Sequence, residues 1–418
     1  MRSPLLVLRR SWGAGVCGML FLAPAPPGLA EASATATASV VALRFAASPT
    51  PIAARQAAEP ATGLQRWSAD QANAWYAKQP WPLGSDYIPA NAINQLEMWQ
   101  AETFDPKRID TELGWAQKLG MNTMRVFLHD LLWQQDPAGF KQRIQKFLEI
   151  ASSHGIRPVF VLFDSCWESN PHLGPQHPPI PGVHNSGWVQ SPGTAALNDP
   201  ARYPKLREYV EGIVAAFAKD SRILAWDVWN EPDNHGPNEQ APEKFERVAN
   251  LLPQVFGWAR SQHPTQPLTS GVWNHDDWSP GAPLNAVESV QLAQSDIISF
   301  HDYNWPEKFE ARVLQLRKYG RPILCTEYLA RGAGSTIDNS LPIAKRLDVG
   351  MINWGFVLGK TQTNFPWDSW QRPYTAQPPV VWHHDLLRAD GTPYRQREVE
   401  ILRKLSSLPK GVTTPLSR

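Results

Sequence analysis

Two glutamates carry the chemistry that this sequence can do. Glu231 closes the stretch ILAWDVWNEPDN, Ile223 to Asn234, where an apolar run rich in Trp and Val ends on Asn230, Glu231 and Pro232. Glu327 closes a second apolar run, RPILCTEY, Arg321 to Tyr328. A lone glutamate in such a place is usually half of a structural ion pair. Two of them at matching ends, framed by Asn230 and Tyr328, suit the cleavage of a glycosidic bond. One carboxyl stays protonated to give its proton to the leaving oxygen, and the other stays ionised to attack the sugar carbon. Proximity raises one pKa, and hydrogen bonds to the second keep it anionic.

The elements that must position this pair can be read from the alternation of short apolar runs with amphipathic stretches. Strand-like runs appear at 121–128 (MNTMRVFL), 156–164 (IRPVFVLFD), 223–230, 266–273 (QPLTSGVW), 296–304 (DIISFHDYN), 321–328 and 351–359 (MINWGFVLG). An opening strand within 84–99 makes eight. Helical patterns separate them, among them 106–120, 139–155, 205–221 and 306–320, and a last one at 394–407 closes the series. Near-continuous apolar strands alternating with helices imply a parallel sheet covered by helices, and eight repeats fit a (β/α)8 TIM barrel. A doubly wound open sheet would want a glycine-rich turn after its first strand, which this sequence lacks. Positions 231 and 327 lie 96 residues apart, or 32 per unit over three units, against about 31 in an ideal barrel of ~250 residues. The fourth and seventh strands face each other across the mouth, so both carboxylates belong to one rim.

Composition narrows the partners. The 40 basic and 39 acidic side chains nearly cancel, with no basic stripe for nucleic acid and no acidic tail. The chain has 19 Trp, a residue that often lies in clefts where flat rings stack on ligands; about half are expected to be core. Residues 1–30 read as a signal peptide. Arg9-Arg10 precede an apolar run ending at Ala30, and Pro24, Pro26 and Pro27 make that run a poor membrane span. The paired arginines faintly resemble a twin-arginine signal. Residues 31–62, rich in Ala, Ser, Thr and Pro, read as a disordered linker, leaving 63–410 as one catalytic domain. The expected location is secreted or periplasmic, with no membrane contact once the leader is removed. Cys166 and Cys325 are too few for a disulfide framework or a zinc site, and Cys325 is expected to be a small buried hydrophobe.

With WNEP after the fourth strand and TEY at the seventh, the chain resembles the clan A glycoside hydrolases, especially the cellulase family, glycoside hydrolase family 5. The resemblance covers about residues 84–408. It implies a retaining hydrolase of β-linked glycans, with an oligo- or polysaccharide substrate and no cofactor or metal. Glu231 would be the general acid/base and Glu327 the nucleophile. Asn230 would hold the sugar 2-hydroxyl, Arg125 would lie beneath Glu327 and keep it ionised, and Tyr303 would donate to Glu327. His301 would contact Glu231 or substrate, and Trp354 would be the stacking floor. The family usually also has a histidine near the third or fourth strand end, where this chain offers Asp164 or Trp229. Trp273, at the fifth strand end, completes the expected substrate contacts.

Two other classes stay open: a carbohydrate-binding barrel that has lost catalysis, and a metal-dependent barrel hydrolase. The second has little support. Its usual His-x-His pair is absent, and HDD at 275–277 and WHHD at 382–385 lack convincing ligand spacing. The long segment 164–204, with Trp167 and Trp188, is expected either to wall off one end of the cleft or to be a rigid surface excursion, and Trp367 and Trp370 in 363–374 are expected to approach the same rim.

Overall fold

A computed structural model describes residues 65–236 and 239–410. The signal-peptide and linker readings over 1–30 and 31–62 lie outside the described residues.

Eight strands form the centre: β1 (Leu83–Asp86), β2 (Thr123–Phe127), β3 (Val159–Val161), β4 (Ala225–Asp227), β5 (Leu268–Thr269), β6 (Ile298–His301), β7 (Ile323–Glu327) and β8 (Gly350–Asn353). Their order is β5-β4-β3-β2-β1-β8-β7-β6, with parallel pairing throughout. The parallel bridge between Val272 and Phe300 closes the ring from β5 to β6, and the His301 amide donates to the Val272 carbonyl at 3.0 Å. This is the expected (β/α)8 barrel. The first strand begins one residue before the 84–99 window, and most of that window is loop plus a short helix, Gln95–Trp99.

The crossovers are helices whose sequences start and stop them. Asp105 and Asp136 cap Pro106–Lys118 and Pro137–Ser153 through their side chains, each followed by a proline at the first helical position. Ile109, Leu113 and Ala116 repeat at helical spacing and bury one face. The remaining crossovers are Tyr203–Phe217, Ala241–Ser261, Ala286–Gln294, Pro306–Arg317 and Ile337–Arg346, and Gln396–Ser407 follows β8. On β2 the side chains alternate. Met124 and Val126 join the core under the helices, while Arg125 points inward to Asp86, Asp227 and Glu327.

The element at the floor of the barrel was not read from the sequence. The helix Ala69–Ala77, fixed by a Ser68–Gln71 capping box, lays Ala72 and Tyr76 on Val159, Leu224, Ala225, Ile297, Leu324 and Ile352. It plugs the end of the barrel opposite the carboxylates.

Candidate active site

Arg125 organises the barrel mouth from below. It is fully buried, and its guanidinium reaches four side chains from three other strand ends. Nη1 donates to Asp86 at 2.8 Å and to Glu327 Oε1 at 3.0 Å; Nη2 donates to Asp227 at 2.8 Å and to the Asn230 side-chain oxygen at 2.6 Å. Burial opposes its charge, yet the surrounding carboxylates of Asp227, Asp86 and Glu327 raise its pKa well above the usual value. The arginine is permanently cationic and its fork fixes the direction of each acid.

The backbone aims the two glutamates. In the β6–β7 pairing Phe300 meets Cys325 but His301 meets Glu327, so β7 carries one extra residue, Thr326. Such a bulge re-aims the side chain at its edge, here Glu327. Glu231 has φ +40°, a left-handed conformation that costs a non-glycine residue of order 1–3 kcal/mol and is kept where the surroundings enforce it.

The two carboxyl groups meet. A ligand atom from each of Glu231, His301 and Glu327 lies within 4.8 Å of the others. That proximity fits the ~5–5.5 Å of retaining glycosidases and falls short of the ~6.5–9.5 Å of inverting ones. Their environments differ. Glu327 receives Arg125 on Oε1 and the Tyr303 hydroxyl on Oε2 at 2.7 Å. Glu231 Oε1 pairs with His301 Nδ1 at 2.8 Å, and Oε2 accepts from the Asn234 amide at 2.7 Å and the Cys166 thiol at 3.3 Å. Burial pushes the Glu231 carboxyl up to about 7, and pushes His301 down to about 4, so the imidazole is neutral. Burial and the Glu231 charge raise Glu327 too, but Arg125 and Tyr303 pull against that rise. With one proton to share, the arginine places it on Glu231.

This arrangement sets a pH dependence. A general acid works only while protonated, so if Glu231 fills that role kcat/KM should fall as pH rises through about 7, and an acid limb below it would report Glu327. Replacing Glu231 by Gln should remove the alkaline limb on an aryl glycoside with a good leaving group. Cys166→Ala removes a donor that favours ionised Glu231, so the limb should move to higher pH. Profiles for the three proteins check both expectations.

Glu231, His301 and Glu327 also form the kind of cluster that could hold a cation. Each glutamate oxygen there already has a hydrogen-bond partner, and the Arg125 guanidinium touches Glu327. A cation would have to displace the imidazole from Glu231 and sit against that fixed positive charge.

The cleft over these groups has a volume of about 600 Å³ and is lined by Asn230, Glu231, Trp273, His301, Tyr303, Glu327 and Trp354, as the sequence reading expected. Trp367 lines it too, edge-on to Tyr303 at 5.2 Å. Arg125 lies beneath the floor against Glu327, as expected. Asp164 is a correction: it is buried behind Asn230, and its oxygens are taken by Gln95, Trp188, Asn230 and the Cys166 amide, so it orients Asn230 instead of touching a ligand. Burial raises it to about 6. Trp229, the other stand-in for the family histidine, is buried and donates to Ser165. Sequence reasoning missed Cys166, Asn234 and Asn185 as cleft residues. Of these, Asn234 had a signal, three residues beyond Glu231 in NEPDN.

No family model matches the chain, and no curated protein matches it. Solved structures do. An exo-β-1,4-mannosidase from Opitutaceae bacterium strain TAV5 superposes with a TM-score of 0.54 at 18% identity, over 78% of this chain and 59% of that one. A variant GH5_18 protein from Streptomyces cattleya, in complex with Manβ1-4GlcNAc, gives 0.55 at 13%, over 79% and 82%. The endo-1,4-β-mannanase of Rhizomucor miehei gives 0.51 at 12%, over 79% and 95%. The chain therefore spans little more than half the length of the first. These likenesses are of fold: the chain shares the (β/α)8 barrel of these solved proteins, the architecture read from the sequence.

Proposed function

We propose that this chain is a retaining β-glycoside hydrolase working by double displacement. Glu327 attacks the anomeric carbon while Glu231 protonates the departing glycosidic oxygen, giving a glycosyl ester on Glu327. Glu231, now ionised, takes a proton from water, the water attacks the same carbon, and Glu327 leaves. Two inversions give net retention. Arg125 and Tyr303 hold the nucleophile anionic. His301 and Asn234 hold the acid in place. Asn230, locked by Arg125 and Asp164, offers its amide to the sugar 2-hydroxyl, a contact that strengthens in the transition state.

The observation that carries this reading is the pair of close carboxylates with unequal support. Proton NMR of the first product from an aryl β-glycoside tests it: the β anomer should appear first, and an initial α anomer would mean inversion and end the proposal. β-Mannosides head the panel, being the linkage named for the similar solved barrels, followed by β-glucosides and β-xylosides. The leader reading places the enzyme in the periplasm or outside the cell, which fractionation of cells expressing the full chain would check.

A further inference from the structure

The loops that follow β3 and β8 are joined into one wall. The Asn185 amide donates to the Thr361 carbonyl at 2.7 Å, the Tyr374 amide to the Gly182 carbonyl at 2.9 Å, and the His184 amide to Ser369 Oγ at 2.9 Å. Trp167 and Trp370 stack across the seam with ring centres 5.3 Å apart and planes 15° apart. Because β8, β1, β2 and β3 are consecutive in the ring, a bridge between the β3 and β8 loops crosses the mouth over β1 and β2. The space beyond Trp354 and Trp188, on that side, is about 20 Å³. A cavity needs about 10–15 Å³ for one water, so that space is too small to hold a sugar ring.

The opposite side is open. Trp273, Asn274, His275 and Asp276, after β5, line the cleft together with the half-exposed Lys308. Glu231 follows β4, next to β5, so the oxygen that it protonates and the group that leaves lie toward this open side. The sugar whose anomeric carbon faces Glu327 therefore lies on the walled side.

Within the wall, Asn185 lines the cleft and is 1% exposed, yet neither its side-chain oxygen nor its nitrogen has a hydrogen-bond partner. Its backbone is held at φ +49°. An unpaired buried amide costs of order 1–3 kcal/mol and asks for an explanation. A sugar with vicinal hydroxyls offers both the acceptor and the donor that it lacks.

We propose that the enzyme is exo-acting: the wall admits one terminal sugar from the non-reducing end of a β-linked chain, and Asn185 reads that sugar's hydroxyls. This rests on the hydrolase reading above, and it limits that reading to chain ends. The bond cleaved is the one between the terminal sugar's anomeric carbon and the oxygen linking it to the next residue. Water supplies the hydroxyl that the released monosaccharide gains.

The full chain should be incubated with β-1,4-mannohexaose and β-1,4-glucohexaose tagged at the reducing end with a fluorophore. Free monosaccharide and a tagged pentasaccharide are expected at the earliest time points, the tagged products then shortening one unit at a time. Tagged di- and trisaccharides at the outset, or release of the tagged unit alone, would overturn chain-end action while leaving hydrolysis standing. No turnover of either hexaose or of aryl β-glycosides would remove both readings. Asn185→Ala should raise KM for the hexaose about tenfold or more with kcat little changed and the melting temperature unaltered or higher. Asn185→Asp, which keeps the shape but loses the donor, guards against a folding defect; a KM unchanged in both variants refutes the role given to Asn185.

Discussion

Glu327→Ala should be inactive on every β-glycoside that the native enzyme cleaves, and azide should restore activity. In the proposed mechanism Glu327 forms the sugar ester, and it is held for that task from both sides, by Arg125 at 3.0 Å and Tyr303 at 2.7 Å. Losing it should lower kcat by ~10⁵-fold, equivalent to ~7 kcal/mol of barrier. Alanine leaves a hole the size of a small anion beside the guanidinium. Azide entering there would attack the anomeric carbon from the face that Glu327 used, and with no second displacement the glycosyl azide would have the inverted configuration. Product analysis by NMR checks this. A retained azide would instead assign the nucleophile's role elsewhere.

The second large effect concerns Arg125. Asp86, Asp227 and Glu327 all lean on this one cation in a dry interior. Arg125→Met would strand three carboxyl groups, and breaking a buried pair from one side costs ~3–5 kcal/mol. At least one of them should take up a proton, and burial already pushes both Asp86 and Glu327 in that direction. A proton on Glu327 blocks attack, so the acid limb of the activity profile should climb toward neutral pH. Melting curves and pH profiles measured on the same samples separate the two losses. Arg125→Lys is the informative control. It keeps the charge but cannot hold Asp86, Glu327, Asp227 and Asn230 at once, so it should fold better than the methionine variant while remaining catalytically poor.

What could be read from the sequence follows from how barrels are built. Parallel strands buried on both faces leave unbroken apolar runs, and their carboxyl ends announce themselves where a charged or aromatic residue interrupts the run. That made Asn230, Glu231, His301, Tyr303, Glu327 and Trp354 findable together. Strand lengths were not legible, because only the middle of each run is laddered: the run at 266–273 keeps two residues in β5. The bulge at Thr326 leaves no mark in composition. Asp164 was misplaced because a strand-end carboxylate faces the substrate or its neighbours depending on the next few loop torsions. Cys166 and Asn185 depend on the same kind of detail, since Trp167, Asn185 and Glu231 all take positive φ without being glycine. The floor helix escaped notice because ADQANAWYA hides its apolar stripe among small and polar residues.

That floor helix decides how the enzyme can be handled. Trp67 and Arg66 are tied to Asp296 and Ser295 just ahead of β6, and Lys410 donates to the Tyr76 carbonyl, so the early and late parts of the described chain meet beneath the barrel. The mouth points the other way. A protein tethered through either of those segments would present its cleft outward to a surface, a bead or a neighbouring fibre. Joining the two segments and reopening the chain at an outer loop should give a permuted enzyme that still folds, since little would have to stretch to connect them.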